Sequence, residues 1–173
     1  MLRFIEIDQD HWRYGLSVDA AQQAFVANET AILARAFSHR HWRPVCCALY
    51  AERGEEEEAA FRQRMLDRFG MEFPREERGV PVGLILYYDL PEENAYYLAQ
   101  LLIDSRYQRR GYGAEAVRMA VDAMKKDGKY PKALTCVVTQ NAVSRHLFES
   151  MGWTLTDDSD PAQDEELVYE LSL

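Results

Sequence analysis

The stretch Gln108-Arg109-Arg110-Gly111-Tyr112-Gly113-Ala114 decides how this chain is read. In front of it runs Tyr97-Leu98-Ala99-Gln100-Leu101-Leu102-Ile103, an apolar segment with the length of a buried strand. Behind it Ala116, Val117, Ala120, Val121 and Met124 recur on one face of a helix. Two glycines and two arginines therefore occupy a turn from a strand into a helix. The first turn of a helix has N–H groups without intrahelical partners and the positive end of the peptide dipoles, a combination that binds anions. Glycine admits an anion close to the backbone because it has no Cβ. Arginine adds fixed charge that reaches phosphate oxygens. The turn reads as a pyrophosphate cradle. A Walker loop is excluded, because Gly-Lys-Ser/Thr is absent. A dinucleotide fold needs an acidic residue about 20 residues beyond the glycines, where Tyr130, Pro131 and Lys132 stand.

Working outward, Val80 to Tyr88 is a second strand, and the polar turn from Asp89 to Asn94 makes a central antiparallel hairpin with the strand before the cradle. Beyond the cradle helix, Lys125 to Lys132 is a polar break and Leu134–Val138 a buried strand. Asn141 starts another helix, with Val143, Leu147 and Met151 on its inner face and Gly152 at its end. Trp153–Leu155 and Leu167–Leu171 are the last strands, separated by the acidic loop Asp157 to Glu166. At the front, Phe4–Ile7 reads as an edge strand, and Asp8 or Asp10 caps a short helix through Trp12 and Leu16. Ala20 to His39 reads as helical, with Asn28 and Glu29 on its wet face; Pro44 closes it, and Val45–Tyr50 is a strand. Phe61, Met65 and Phe69 recur every four residues, so Glu55 to Gly70 predicts an amphipathic helix with an acidic first turn. Met71 to Gly79 reads as a loop.

With 173 residues, 47% of them apolar, the chain suffices for one domain with a substantial core, and neither a repeat nor a long linker divides it. No apolar run reaches the ~20 residues of a membrane span, and Met1–Glu6 does not read as a signal peptide, so a cytoplasmic location is expected. Cys46, Cys47 and Cys136 lie in apolar runs without disulfide or metal spacing. His39-x-His41 lacks a third ligand, so no metal is expected. A net charge of −9 argues against nucleic acid as a partner.

The Gln-x-x-Gly-x-Gly turn, followed at this distance by Asn141 through Trp153, resembles the GNAT family of acyl-CoA-dependent N-acyltransferases. The front half, with Leu16-Ser17-Val18, Gln23, Phe25–Asn28 and Pro44, together with Leu102–Gln108, is similar to the bacterial spermine/spermidine (diamine) acetyltransferase branch. The resemblance covers nearly the whole of 1–173 except approximately 52–79, which looks like an insertion. It implies an α/β (α+β) fold of the GNAT type. Its central sheet would be mixed and mostly antiparallel, with six to seven twisted strands splayed at the cofactor site, about four helices and the inserted helix. It further implies a homodimer and acetyl-CoA as co-substrate. Leu101, Leu102 and Ile103 would offer a strand edge to the pantetheine arm. Gln108, Arg109, Arg110, Gly111, Tyr112, Gly113 and Ala114 would hold the pyrophosphate, with Asn141, Arg145 and Phe148 along the same cofactor.

Acetyl transfer to an amine needs a neutral nucleophile beside the thioester and a base or water for its proton. The developing oxyanion needs a donor, which a backbone N–H of the splayed strand can supply. The family's tyrosine acid falls at Phe148, which has no proton to give; Ser144 and Tyr112 are the nearby replacements. Tyr97 and Glu29 are catalytic candidates, and Gln23, Asn28, Glu29 and Gln100 are acceptor-binding candidates. The expected reaction is direct attack in a ternary complex on acetyl-CoA by a small primary amine, a polyamine such as spermidine or spermine. The alternatives are another amine, such as a peptide N-terminus or a drug, and a catalytically silent acyl-CoA sensor.

Overall fold

Apolar runs rich in Val, Ile, Leu and Tyr build the sheet, because such side chains pack on a pleated, buried surface. The computed structural model describes residues 1–9, 11–73 and 78–173. Seven strands form one sheet: β1 (Leu2–Glu6), β2 (Val45–Ala51), β3 (Val80–Leu90), β4 (Ala95–Ile103), β5 (Lys132–Val138), β6 (Thr154–Leu155) and β7 (Glu166–Ser172). Their order is β1-β2-β3-β4-β5-β7-β6. The helices are α1 (Glu29–Ser38), α2 (Glu55–Phe69), α3 (Tyr112–Asp127) and α4 (Ala142–Ser150). Every neighbouring pair of strands is antiparallel except β4 and β5. The expected hairpin is β3–β4, and the mixed, mostly antiparallel sheet is the one anticipated. α3 is the crossover between the two parallel strands, so the glycine turn lies at the carboxyl end of β4, where α/β sheets collect ligands.

β3 is buried from Val80 to Asp89 on both faces, and it anchors the core. α3 buries Ala116, Val117, Ala120, Val121 and Met124, the stripe read from the sequence. Full burial of a side chain the size of Val or Met is worth about 1.5–3 kcal/mol. The inserted helix α2 buries Phe61 and Met65. Phe61 meets Phe73 at 5.0 Å, and Phe73 in turn meets Tyr14 at 5.9 Å.

The front of the chain departs from the expectation. No helix follows Asp8, whose carboxylate accepts from the His11 N–H at 2.7 Å. Asp10 and residues 74–77 of the expected loop lie outside the described residues. Ala20 to His39 is not one helix: a single 3-10 turn covers Ala20–Gln22, and α1 starts only at Glu29. Asn28 sets that start by accepting from the Ala31 N–H at 2.9 Å. Glu29 does not lie on a wet face. It is buried, and its carboxylate accepts the N–H groups of Tyr14 and Leu16. Burial pushes this carboxyl above the usual range, against the pull of those two N–H groups. On α4, Val143 is exposed rather than inward, and Phe148 is the buried residue.

Asp104 ties this front segment to the cradle. It is fully buried just after β4. Its carboxylate accepts from the Ser17 N–H at 3.0 Å and from two Arg106 guanidinium nitrogens at 2.7 and 2.8 Å, while Ser105 N–H donates to the Ser17 carbonyl. Burial alone would raise the Asp104 carboxyl, but Arg106 and the Ser17 N–H together hold it below the usual carboxylate range. A group depressed in the folded state contributes stability that is present above its unfolded value and is lost as pH falls. Asp104→Asn is therefore expected to cost about 1–3 kcal/mol in urea unfolding at neutral pH. It should also flatten the decline of stability between about pH 5 and pH 2. Parallel wild-type and variant stability curves across that range would contradict the role.

Candidate active site

β4 and β5 share only two registered pairs, Tyr96↔Ala133 and Tyr97↔Leu134. A last link follows, from the Thr135 hydroxyl to the Leu98 carbonyl at 2.9 Å. Beyond it the strands part, and the β4 edge from Ala99 to Ile103 has no strand beside it. The β3–β4 register slips between Leu86↔Gln100 and Tyr87↔Leu98, which makes Ala99 the extra residue of a bulge at the fork. Bulges bend a strand and re-aim its groups. The opening continues into two adjoining chambers. The first, of about 340 Å³, runs along the cradle; the second, of about 200 Å³, lies in the fork. Phe25, Val26, Leu101, Asn141, Ser144 and Leu147 border both.

The cradle chamber is built for an anion. Gly111 is the N-cap of α3 at φ 82°, and no side chain caps this helix, so the N–H groups of Tyr112, Gly113 and Ala114 are left for a ligand. Asn28 caps α1 and Asn141 caps α4, whereas α2, whose N-cap is Gly54, shares with α3 a start without a side-chain cap. Arg109 stands at φ 60°, and neither Arg109 nor Arg110 is in an ion pair among the described residues. A Cβ on Gly113 would meet Leu147 at 3.5 Å, so glycine keeps the cleft floor open. Leu101 and Ile103 project into this chamber, while Leu102 points into the core, as strand alternation requires.

Several expected ligand residues do other work. Gln108 anchors the turn: its amide donates to the Ile103 carbonyl at 2.9 Å and exchanges hydrogen bonds with the Gln22 amide at 2.9 and 3.2 Å. Arg110 does not line either chamber; it lies 5.7 Å from the Tyr107 ring. Arg145 is turned away toward the Tyr169 hydroxyl and the Thr139 carbonyl, at 3.4 Å each. Tyr112 accepts a hydrogen bond from Arg53 at 2.5 Å. Gln23 and Asn28 are exposed and, with Glu29, border neither chamber. For Gln23 the reason is phase: the 3-10 turn presents Gln22 to the cleft instead. The inserted helix also borders neither chamber.

The fork chamber holds Tyr97, Gln100 and Phe148, all named from the sequence, and Arg35, Cys136 and Glu166, which were not. Arg35 donates to the Tyr88 hydroxyl at 3.3 Å, and its guanidinium carbon is 5.9 Å from the Tyr97 ring centre. Phe148 packs edge-on against Trp153 at 5.2 Å, so this part of the chamber wall is an apolar ring with no proton to give, as the sequence implied. Ser144 borders the chambers one helical turn earlier on α4. Burial pushes the Tyr97 hydroxyl up to about 12, so it stays protonated at neutral pH. Burial, with Glu166 3.4 Å away, pushes the Cys136 thiol up to about 11. A protonated thiol is a poor nucleophile.

The family model described as Acetyltransferase (GNAT) family matches residues 33–153. The chain belongs to this acetyltransferase family. No curated protein matches it significantly. Among solved structures, an acetyltransferase from Bacillus subtilis in complex with CoA aligns over 99% of this chain and 97% of its own, with TM-score 0.61 and 13% identity. The NatC complex bound to Gag peptide and CoA aligns over 99% and 98%, with TM-score 0.62 and 13% identity. An acetyltransferase from Agrobacterium tumefaciens aligns over 84% and 71%, with TM-score 0.56 and 20% identity. At these identities the likeness is one of fold. Among the described residues no helix is long and apolar enough to cross a membrane.

The uncapped helix start yields a prediction. A Cβ on Gly111 meets nothing within 4 Å, so Gly111→Ala tests the left-handed backbone alone. Such a conformation costs a non-glycine residue about 1–2 kcal/mol. Relief of that strain by relaxing the turn moves its N–H groups, so the variant should bind acetyl-CoA about tenfold more weakly in calorimetry while retaining its far-ultraviolet circular dichroism. Unchanged affinity together with unchanged stability would contradict this account of the turn.

Proposed function

We propose that the chain transfers an acetyl group from acetyl-CoA to the primary amine of a small molecule. The observation that carries this reading is the β4–β5 fork, which joins an anion cradle to a separate chamber large enough for a second reactant. In this reading the N–H groups at the start of α3 and Arg109 hold the pyrophosphate. The open β4 edge near Leu101–Ile103 takes the pantetheine amides as an added strand would, and Asn141 and Leu147 line the same path. Acetyl-CoA supplies an activated thioester. The chain's own groups do the rest. The fork holds the amine next to the carbonyl, which converts a bimolecular reaction into a local one. Backbone N–H groups at the Ala99 bulge are the donors that would serve a developing oxyanion. Glu166, at the chamber mouth, accepts the ammonium and passes its proton to water. The nitrogen then forms the amide bond as the carbon–sulfur bond breaks, and the CoA sulfur leaves with a proton.

Polyamines are the first acceptors to assay, on the front-half resemblance and on Glu166. Thiol release with acetyl-CoA and a primary amine, with spermidine, spermine and short diamines among those assayed, is the expected positive result. Bound acetyl-CoA with no turnover of any primary amine would reject the enzyme reading. Phe148 favours one competing reading, a silent acyl-CoA sensor, and the same assay separates the two. If thiolate protonation depends on solvent in the native enzyme, Phe148→Tyr should raise kcat by about 10-fold or more. If Ser144 supplies the proton, Phe148→Tyr is neutral and Ser144→Ala lowers kcat with little change in KM.

A further inference from the structure

The fork chamber contains one cation and one carboxylate that do not pair. Arg35 enters from α1, and Glu166 enters from the start of β7. Among the described residues neither takes part in an ion pair. Arg35 has a single hydrogen bond, to a tyrosine hydroxyl, which leaves most of its five N–H donors unused. Its guanidinium is nevertheless held in place. Tyr97 lies alongside it, Tyr88 receives its Nη2, and these two rings meet at 5.5 Å. His39 stacks on Tyr88 at 4.8 Å from the other side. A half-buried, positioned guanidinium is suited to a bidentate carboxylate. It is not serving the pyrophosphate, because it borders only the fork chamber and not the cradle chamber.

We infer that the acceptor is a zwitterionic amine of amino-acid type, whose carboxylate is bound by Arg35 while its ammonium faces Glu166. This rests on the amine-acetylation reading and narrows its substrate class. A diamine fits the chamber less well: its second ammonium would meet Arg35, and like charges in a partly desolvated site repel. The transfer itself is unchanged. The ammonium loses a proton toward Glu166 and water, the amine nitrogen bonds the acetyl carbon, and the thiol of CoA is released. Arg35 takes no proton and acts only in selecting the acceptor.

The test compares acceptors that differ by one carboxylate, ornithine against putrescine and lysine against cadaverine, in a thiol-release assay at saturating acetyl-CoA. The wild type should favour the amino acids in kcat/KM. Arg35→Gln should lower the amino-acid values by about 10- to 100-fold, the range for a hydrogen bond to a charged group, raise the diamine values by removing the repulsion of their second ammonium, and leave the acetyl-CoA affinity unchanged. Arg35→Lys, which keeps the charge without the fork of donors, should retain part of the preference. Equal or better turnover of the diamines overturns the assignment while leaving amine acetylation standing. So does an equal loss for both acceptor classes in Arg35→Gln with acetyl-CoA binding intact. Turnover of no amine at all, with acetyl-CoA bound, overturns both readings.

Discussion

Two parallel strands that pair over only two residues each impose the layout of this protein. A parallel pair is normally zipped along its length, and an unpaired run of N–H and C=O groups inside a fold is costly unless something takes it up. Here the Thr135–Leu98 hydrogen bond ends the zipper, the Ala99 bulge bends β4, and the rest of the edge opens into a cleft. The crossover helix α3 begins at the wide end of that cleft without a cap. One topological fact thus places an unsatisfied strand edge and an unsatisfied helix start side by side. A molecule with amides next to a pyrophosphate satisfies both at once.

The charges follow the same division. The chain carries −9 overall, yet Arg109 sits at the cradle and Arg35 in the fork. Apart from Asp104 with Arg106 beside the cradle, clusters of paired charges lie elsewhere. Asp89, for example, is bound by Arg43 at 2.9 Å and Lys129 at 2.6 Å at the opposite end of the β3–β4 hairpin. Buried carboxylates near the site are structural: Glu29 and Asp104 each accept backbone N–H groups and pin the front segment along the cleft. That segment brings Gln22, Phe25 and Val26 to the cleft wall. Its hold on the cradle runs through Gln22 to Gln108 and through Ser17 to Asp104.

What was legible in the sequence was what depends on local rules. The glycine turn, the α3 stripe, the Asn141 cap and the β3–β4 hairpin each follow from neighbours within a few residues, and each stands where it was expected. What was not legible depends on phase and on distant contacts. A helix read from Ala20 instead of Asn28 puts Glu29 on a wet surface and chooses Gln23 over Gln22; the cap at Asn28 resets both. Arg35 looks like any charged residue of an amphipathic helix, and Glu166 like the end of an acidic loop. Only at the fork, between strands paired 37 residues apart in the chain, do α1 and β7 bring both to one chamber. Arg145 was not legible for the same reason, since the Tyr169 hydroxyl it reaches lies on β7.

Amide hydrogen exchange with and without saturating coenzyme A tests the fork most directly. Protection is expected at Arg109–Ala114 and along the open β4 edge from Ala99 to Ile103, with α2 unaffected. Absence of protection at both places under saturation, or protection centred on another surface, would contradict the account.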